Sequence, residues 1–393
     1  MTKSGSEPRK ENPFSPTFPV NPRYFVNREH IISSFRRSFD RSTKTEMPTP
    51  DNIAILGDPG MGKTSLLRKF EAIALEEFKE RKIFSAIVEL TPDSCSSFTS
   101  IFRKIVDDIS GNFVTQTPVL KEIRNEIKDW RIKSIGTGAR RELEKKIKDD
   151  PPVMMIRDAF IDLWRIIEKL GVDTALLMLD DMHYVANRYP DALNSMKGVF
   201  QWLPKHGCNF MLCITGKKEL ISDSKGFAAP FVNFFNIKHI LKPLTLNGTR
   251  DAILKPLNLS GLDLTVEEGV IEKIYGLTIG HPTFINFIMR ELVSLKGGGR
   301  ITLRFFDENY RSIESSMVKE SFRSDFSIAS NKEKQILLAM AKLPDRFSPS
   351  EIEIKDARTQ LRFLLRKGLI LKHGRGKYSL YHPLFREYLR NLK

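Results

Sequence analysis

Cysteine is nearly absent from this 393-residue chain: Cys95, Cys208 and Cys213 are all there is. Thiols so few and so far apart exclude a disulfide framework and a cysteine-built metal centre. Cys213 sits in an apolar run and reads as core. Long apolar runs are missing as well. Hydrophobic residues make up 41% of the chain, yet no stretch approaches the roughly 18 residues of a membrane span. The N-terminus lacks the apolar segment of a signal peptide, and its Pro8, Pro13, Pro16, Pro19 and Pro22 predict a disordered, extended arm over residues 1–22. A reducing, cytoplasmic setting follows as the expectation. Acidic residues are the scarcer charge, 48 against 63 Lys and Arg, leaving a net +15. That surplus permits contact with a polyanion without requiring one. The length predicts two or three domains.

Against these absences stands one dense motif. Gly57, Asp58, Pro59, Gly60, Met61, Gly62, Lys63 and Thr64 spell G-x-x-x-x-G-K-[ST]. An apolar run, Ile53 to Leu56, precedes it, and a helix-compatible run opening at Ser65 follows. Strand, glycine turn and helix are the context that a phosphate-binding loop requires. Glycines let successive backbone N–H groups face a phosphate, and the helix N-terminus adds partial positive charge. Lys63 is then placed to reach the β- and γ-phosphates of ATP, and the Thr64 hydroxyl to ligate Mg²⁺.

Further along, apolar strand-like runs alternate with amphipathic helices. Residues 83–90, 175–179 and 210–215 read as strands; 97–110 and 153–170 read as helices. Such alternation predicts an α/β fold, a parallel sheet flanked by helices. Residues 116–150 are rich in Lys, Arg and Glu and read as an exposed helical insertion with a solvated face. The strand at 175–179 stops on Asp180 and Asp181. Ligands of open α/β sheets bind at the carboxyl ends of strands. Asp180 is therefore expected to face Thr64 across a Mg²⁺ ion, and Asp181 to act as general base or to position the attacking water.

Taken in order, these pieces resemble the P-loop ATPases of the AAA+ group and their STAND relatives, in particular archaeal-type and origin-recognition-like ATPases with a C-terminal winged helix. Tyr24-Phe25-Val26-Asn27-Arg28-Glu29 resembles the F-x-G-R-E segment of these proteins, with Asn27 in the glycine position. The resemblance implies that Phe25, Val26 and Arg28 lie against the adenine. Gly280-His281-Pro282 resembles the G-x-P lid motif, which implies base contact by His281 and Pro282. Thr215 matches the polar sensor residue at the end of a neighbouring strand, with Lys217 and Lys218 as alternatives. Asp181 departs from the glutamate usual in AAA+ enzymes; STAND proteins often carry the Asp-Asp pair. No arginine finger is recognisable. Arg188 is placed after the Asp-Asp strand but reads better as a surface residue. Slow or partner-stimulated turnover is the expectation.

The expected layout is an arm (1–22), a nucleotide-binding α/β domain (23–244), a helical lid (245–315) and a winged helix (331–393). This last segment carries 15 Lys and Arg against 6 Asp and Glu. Its pattern reads helix, helix, helix, hairpin, the winged-helix order. Arg358, Arg362 and Arg366 recur every four residues on the third helix, and Lys372, Arg375 and Lys377 decorate the hairpin. They are the candidate contacts to double-stranded DNA; an ordinary solvated helix face is the competing reading. Three functions fit: a DNA-associated ATPase, a STAND-type signalling or defence switch acting on a protein partner, and a nucleotide-locked scaffold. Self-assembly fits the first two. The expectation of no repeat array after the winged helix weighs against the second.

Overall fold

The computed structural model describes residues 11–42, 51–116, 121–135, 153–218, 220, 231, 233–374 and 376–392. The described chain divides into two compact units. One is Asn21–Asp58 with Gly62–Lys242; the other takes in the described parts of Met1–Val20, Pro59–Met61 and Pro243–Lys393.

The first unit runs α1 (Glu29–Ser42), β1 (Ile53–Leu56), α2 (Lys63–Glu77), β2 (Ile83–Glu89), α3 (Phe98–Gln116), α4 (Lys121–Ile135), α5 (Val153–Glu168), β3 (Thr174–Asp180), α6 (His183–Arg188), α7 (Pro190–Trp202), β4 (Phe210–Gly216) and β5 (Ile237–Ile240). The strands form one parallel sheet in the order β2-β3-β4-β1-β5. Every residue of β1, β3 and β4 is buried. Helices cover both faces of such a sheet, so its inner strands read as unbroken apolar runs. β5, at the edge, alternates half-buried and exposed positions. Leu56 pairs with Gly216, Leu179 with Ile214, and Glu89 with Asp180. The register therefore brings the ends of β1, β3 and β4 to one edge of the sheet.

Two expectations are corrected in part. The charged segment 116–150 is described only at Gln116 and over α4; its remainder, like residues 1–10, lies outside the described residues. α4 is not an exposed insertion. Ile127 and Trp130 are 2% and 4% exposed within the sheet unit's core, and the Trp130 indole donates to the Ala159 carbonyl at 2.7 Å. Apolar spacing of three residues suffices to seat one face of a helix among many charges. The disordered arm is likewise replaced, over residues 11–20, by chain docked on the second unit. Phe14 is 3% exposed and belongs to that unit's core. Asn12 Nδ2 donates to the Arg290 carbonyl at 2.9 Å. Burying a whole phenyl ring contributes about 2–3 kcal/mol toward the entropic cost of ordering this segment, a cost that prolines lower. Phe14→Ala is expected to cost this unit about 3 kcal/mol of stability, read as a lower denaturation midpoint; an unchanged midpoint would mean that the segment contributes nothing.

The second unit runs α8 (Leu246–Ser260), β6 (Leu264–Val266), α9 (Glu268–Thr278), α10 (Pro282–Lys296), β7 (Gly299–Ile301), α11 (Leu303–Met317), a π turn (Val318–Phe322), α12 (Arg323–Ser327), α13 (Asn331–Lys342), a 3₁₀ turn (Pro349–Glu351), α14 (Ala357–Lys367), the antiparallel pair β8 (Ile370–His373) and β9 (Lys377–Leu380), and α15 (Pro383–Asn391). One apolar core spans it, from Ile253 and Phe287 to Leu361 and Phe385. His382 ties its parts together. The Nε2–H donates to the Thr278 carbonyl at 2.9 Å, while Nδ1 accepts the Leu384 N–H at the start of α15. Both ring nitrogens are thereby assigned, and burial holds the ring neutral, its pKa lowered to about 4. Where a second helix of the C-terminal module is expected from Ser348, the capping box forms but only a 3₁₀ turn follows. Ile352 and Ile354 are β-branched and unsuited to prolonging it, and Asp356 takes φ 65° to turn the chain into α14.

Candidate nucleotide site at the sheet edge

The loop after β1 curls as its glycines require. Gly60 and Gly62 take φ 73° and 85°, a region that side chains rarely adopt. Gly62 caps α2 with no side chain of its own, so the first N–H groups of that helix are left for a ligand. The Gly57 N–H donates to the Gly216 carbonyl at 3.1 Å, pinning the loop to the end of β4. Lys63 is 8% exposed. Its ammonium donates to the carbonyls of Gly57 and Asp58, each at 3.2 Å. Ser65 is buried just inside α2. Asp58 forms an ion pair with Lys218 at 3.0 Å. The sequence offers Lys218 as a phosphate sensor, but nothing in it shows this partner.

Asp180 is 4% exposed, and its two carboxylate oxygens serve different loops. Oδ2 accepts the Thr64 hydroxyl at 2.5 Å. Oδ1 accepts the Thr215 hydroxyl, which in turn accepts the Asp181 N–H at 2.9 Å. The Met182 N–H bonds the Thr215 carbonyl at 2.9 Å. Strand order makes this possible, because β4 lies between β1 and β3. Thr64, Asp180, Asp181 and Thr215, named from sequence as candidates for separate roles, thus meet in one cluster.

A hard divalent cation is bound by oxygen ligands such as these. A hydroxyl and a carboxylate already converge to hydrogen-bond distance at Thr64 and Asp180, so the residues fit Mg²⁺.

Asp181 stands at φ 58°, a strained conformation that aspartate tolerates better than most side chains. Burial, and next the neighbouring Asp180 carboxylate, push its pKa up to about 6, against the pull of Lys63 and Lys217. His183 follows at the start of α6, 7% exposed, with Nδ1 3.6 Å from Asp181 Oδ1. Burial, helped by Lys217 and Lys63, depresses its pKa to about 3.

In the segment that resembles F-x-G-R-E, Phe25, Val26 and Arg28 are half-buried. Asn27 and Arg28 take φ 62° and 69°. Asparagine thereby occupies the left-handed conformation that glycine adopts without cost, which accounts for its presence in the glycine position. The Arg28 guanidinium, its pKa lowered by burial, donates to the Lys242 carbonyl at 2.5 Å. In the second unit, His281 caps α10 and Pro282 opens it. Loop residues Pro59–Met61 group with that unit, where the Thr283 hydroxyl donates to the Gly60 carbonyl at 3.1 Å. Arg188 is exposed at the end of α6.

Of the basic residues in the C-terminal module, Arg358, Arg362 and Arg366 are exposed along α14, as are Lys372 and Lys377 on the hairpin; Arg375 lies outside the described residues. Lys377 shares Glu351 at 3.7 Å. Phe363 is exposed beside the arginines.

No family model and no curated protein matches this chain. Solved structures do. A Walker-type ATPase of Pyrococcus abyssi superposes with a TM-score of 0.57 at 16% identity, over 93% of this chain and 96% of that one. The ORC2 protein of Aeropyrum pernix, in ADPNP and ADP complexes, gives a TM-score of 0.57 at 13% identity, over 93% of each chain. Its ADP form gives 0.55 at 15% identity, over 95% of each. At such identities the likeness is one of fold, and it runs through both units. Together with the strand-loop-helix of β1 and α2, it establishes that the chain has the P-loop NTPase fold of these archaeal proteins.

Proposed function

We propose that this chain binds and hydrolyses ATP with Mg²⁺, and that its nucleotide state governs binding of double-stranded DNA through the C-terminal module. The observation that carries the reading is the Thr64–Asp180–Thr215–Asp181 cluster beside the loop of Lys63. The similar Pyrococcus protein is described as a Walker-type ATPase, and the Aeropyrum protein holds ADPNP and ADP.

Catalysis here is positioning and charge stabilisation, with no covalent step. Lys63 and the α2 N–H groups bind phosphate oxygens. Thr64 and Asp180 would hold the Mg²⁺, which supplies positive charge at the phosphates. Thr215 fixes Asp180 through its hydroxyl and sets the Asp181 backbone. Asp181, ionised above its pKa of about 6, orients the attacking water and takes its proton. Hydrolysis would remove the γ-phosphate contacts and release the C-terminal elements to move. His281 and Pro282, with Phe25, Val26 and Arg28, are assigned to the base.

DNA contact rests on charge. Arg358, Arg362 and Arg366 would enter the major groove from α14, and Lys372, Arg375 and Lys377 would bear on phosphates from the hairpin of a winged helix. Affinity is expected to fall steeply with salt, and replacing Lys372, Arg375 and Lys377 with alanine to reduce the slope of log K against log salt by about 3. The deciding experiment is ATP turnover with and without double-stranded DNA, at low and high salt, with Lys63→Ala as blank. Salt-sensitive stimulation supports the DNA-coupled ATPase. Slow turnover indifferent to DNA would favour the STAND-type switch acting on a protein partner, a reading to which the Asp180-Asp181 pair also belongs.

A further inference from the structure

Asp181 is one methylene shorter than the glutamate it replaces, and little holds its carboxyl group. Its backbone is fixed: the N–H is bound to the Thr215 hydroxyl, and Met182 is bound to the Thr215 carbonyl. The side chain, 36% exposed, has one buried polar neighbour with an unfilled valence. His183 Nδ1 is buried and has no hydrogen-bond partner among the described residues. It lies 3.6 Å from Asp181 Oδ1, just beyond hydrogen-bonding reach. Its ring is held against the Tyr184 ring, centroids 4.1 Å apart, so movement of the aspartate closes the gap more readily than movement of the imidazole.

An imidazole nitrogen buried without a partner costs stability, and the Asp181 carboxyl is the polar group standing beside this one. The environment decides which bond. Burial, Lys217 and Lys63 all keep the ring neutral, so it carries a single N–H. The group that Nδ1 faces is a carboxylate, an acceptor only. Placing the proton on Nδ1 makes His183 a donor to Asp181.

We propose that His183 is a positioning residue for hydrolysis: its Nδ1–H holds one oxygen of Asp181 and leaves the other to face the attacking water. The inference rests on the reading of Asp181 as the water-positioning group. With the aspartate short and its φ left-handed, this bond supplies the orientation that its chain length does not. His183 touches neither nucleotide nor metal in this scheme, so its effect falls on kcat and not on ATP binding.

The test is a set of variants of the full chain. His183→Leu keeps the volume and removes the donor. His183→Asn places an amide N–H where Nδ1 stands, and His183→Gln reaches instead toward Nε2. His183→Leu is expected to lower kcat about tenfold, the loss of one charge-assisted hydrogen bond, with KM for ATP and the melting temperature little changed. His183→Asn is expected to recover most of kcat, and His183→Gln not. In an Asp181→Asn background, His183→Leu should cost nothing more. Wild-type kcat in His183→Leu alongside a slow Asp181→Asn overturns the role of His183 alone. Equal losses with and without Asp181, or equal rescue by Asn and Gln, also overturn it. Wild-type turnover in Asp181→Asn removes the reading of Asp181 itself, and the inference falls with it.

Discussion

Lys63→Ala is expected to bring ATP turnover down by a factor on the order of 10³, the scale of losing a preorganised donor aimed at developing charge. The structure holds two other candidate cations, Lys218 and Arg28, on partners of their own. Lys63 is buried and already held over the loop, its ammonium shared between the carbonyls of Gly57 and Asp58. In the proposed site it stands over the loop that would receive the phosphates, so binding exchanges these carbonyl contacts for phosphate oxygens. Lys218 is engaged with Asp58, and Arg28 is spent on the Lys242 carbonyl. Lys63→Arg is a sharper control than alanine. It keeps the charge but needs room for a planar fork in an 8% exposed position, so it too should fail. Turnover measured with purified protein, and nucleotide affinity measured separately, check both points. Activity surviving in Lys63→Ala would sink the ATPase reading.

The second large effect concerns folding. Gly280 has φ 72°, and a Cβ there would stand 1.9 Å from the Leu244 carbonyl oxygen. The two backbones meet directly, the Leu244 N–H donating to the Gly280 carbonyl at 2.8 Å. Backbone cannot move aside as the end of a side chain can. Gly280→Ala therefore adds a clash to left-handed strain and should cost about 3 kcal/mol or more. Gly276 supplies the contrast. It lies exposed in α9 with open space around its missing Cβ, and alanine there should stabilise by about 0.5–1 kcal/mol. Chemical denaturation followed in both variants decides the matter. Equal midpoints would mean that the Leu244–Gly280 contact is not formed in solution.

The sequence reveals the loop, the inner strands and the aspartate pair because each is dictated locally. A glycine pattern needs its φ angles, and a strand covered on both faces needs an unbroken apolar run. The C-terminal module is legible for the same reason: α13 and α14 show a clear period, and Gly368 closes α14 at φ 78°. What escapes reading depends on distant chain. Phe14 is one aromatic in a proline-rich stretch, with no period to announce that it is buried. Ile127 and Trp130 are two apolar positions among many charges. His183 follows an obvious motif, yet its importance comes from burial and from the direction of one nitrogen, and neither is a property of sequence. The pairing of Asp58 with Lys218 spans 160 positions.

The strand order also governs when, during synthesis, this protein acquires its phosphate loop. β1 ends at Leu56, yet both of its neighbours in the sheet, β4 and β5, begin only at Phe210 and Ile237. Until the ribosome has released chain to about Gly216, β1 has no strand to pair with and the loop has no Gly216 to hold it; its second neighbour, β5, follows only at Ile237–Ile240. Contacts so distant in sequence are slow to form. The nascent N-terminal half can thus pair only β2 with β3, parallel strands joined through α3–α5, and leaves an apolar β1 exposed, a state in which chaperones, rather than nucleotide, would be its first ligands.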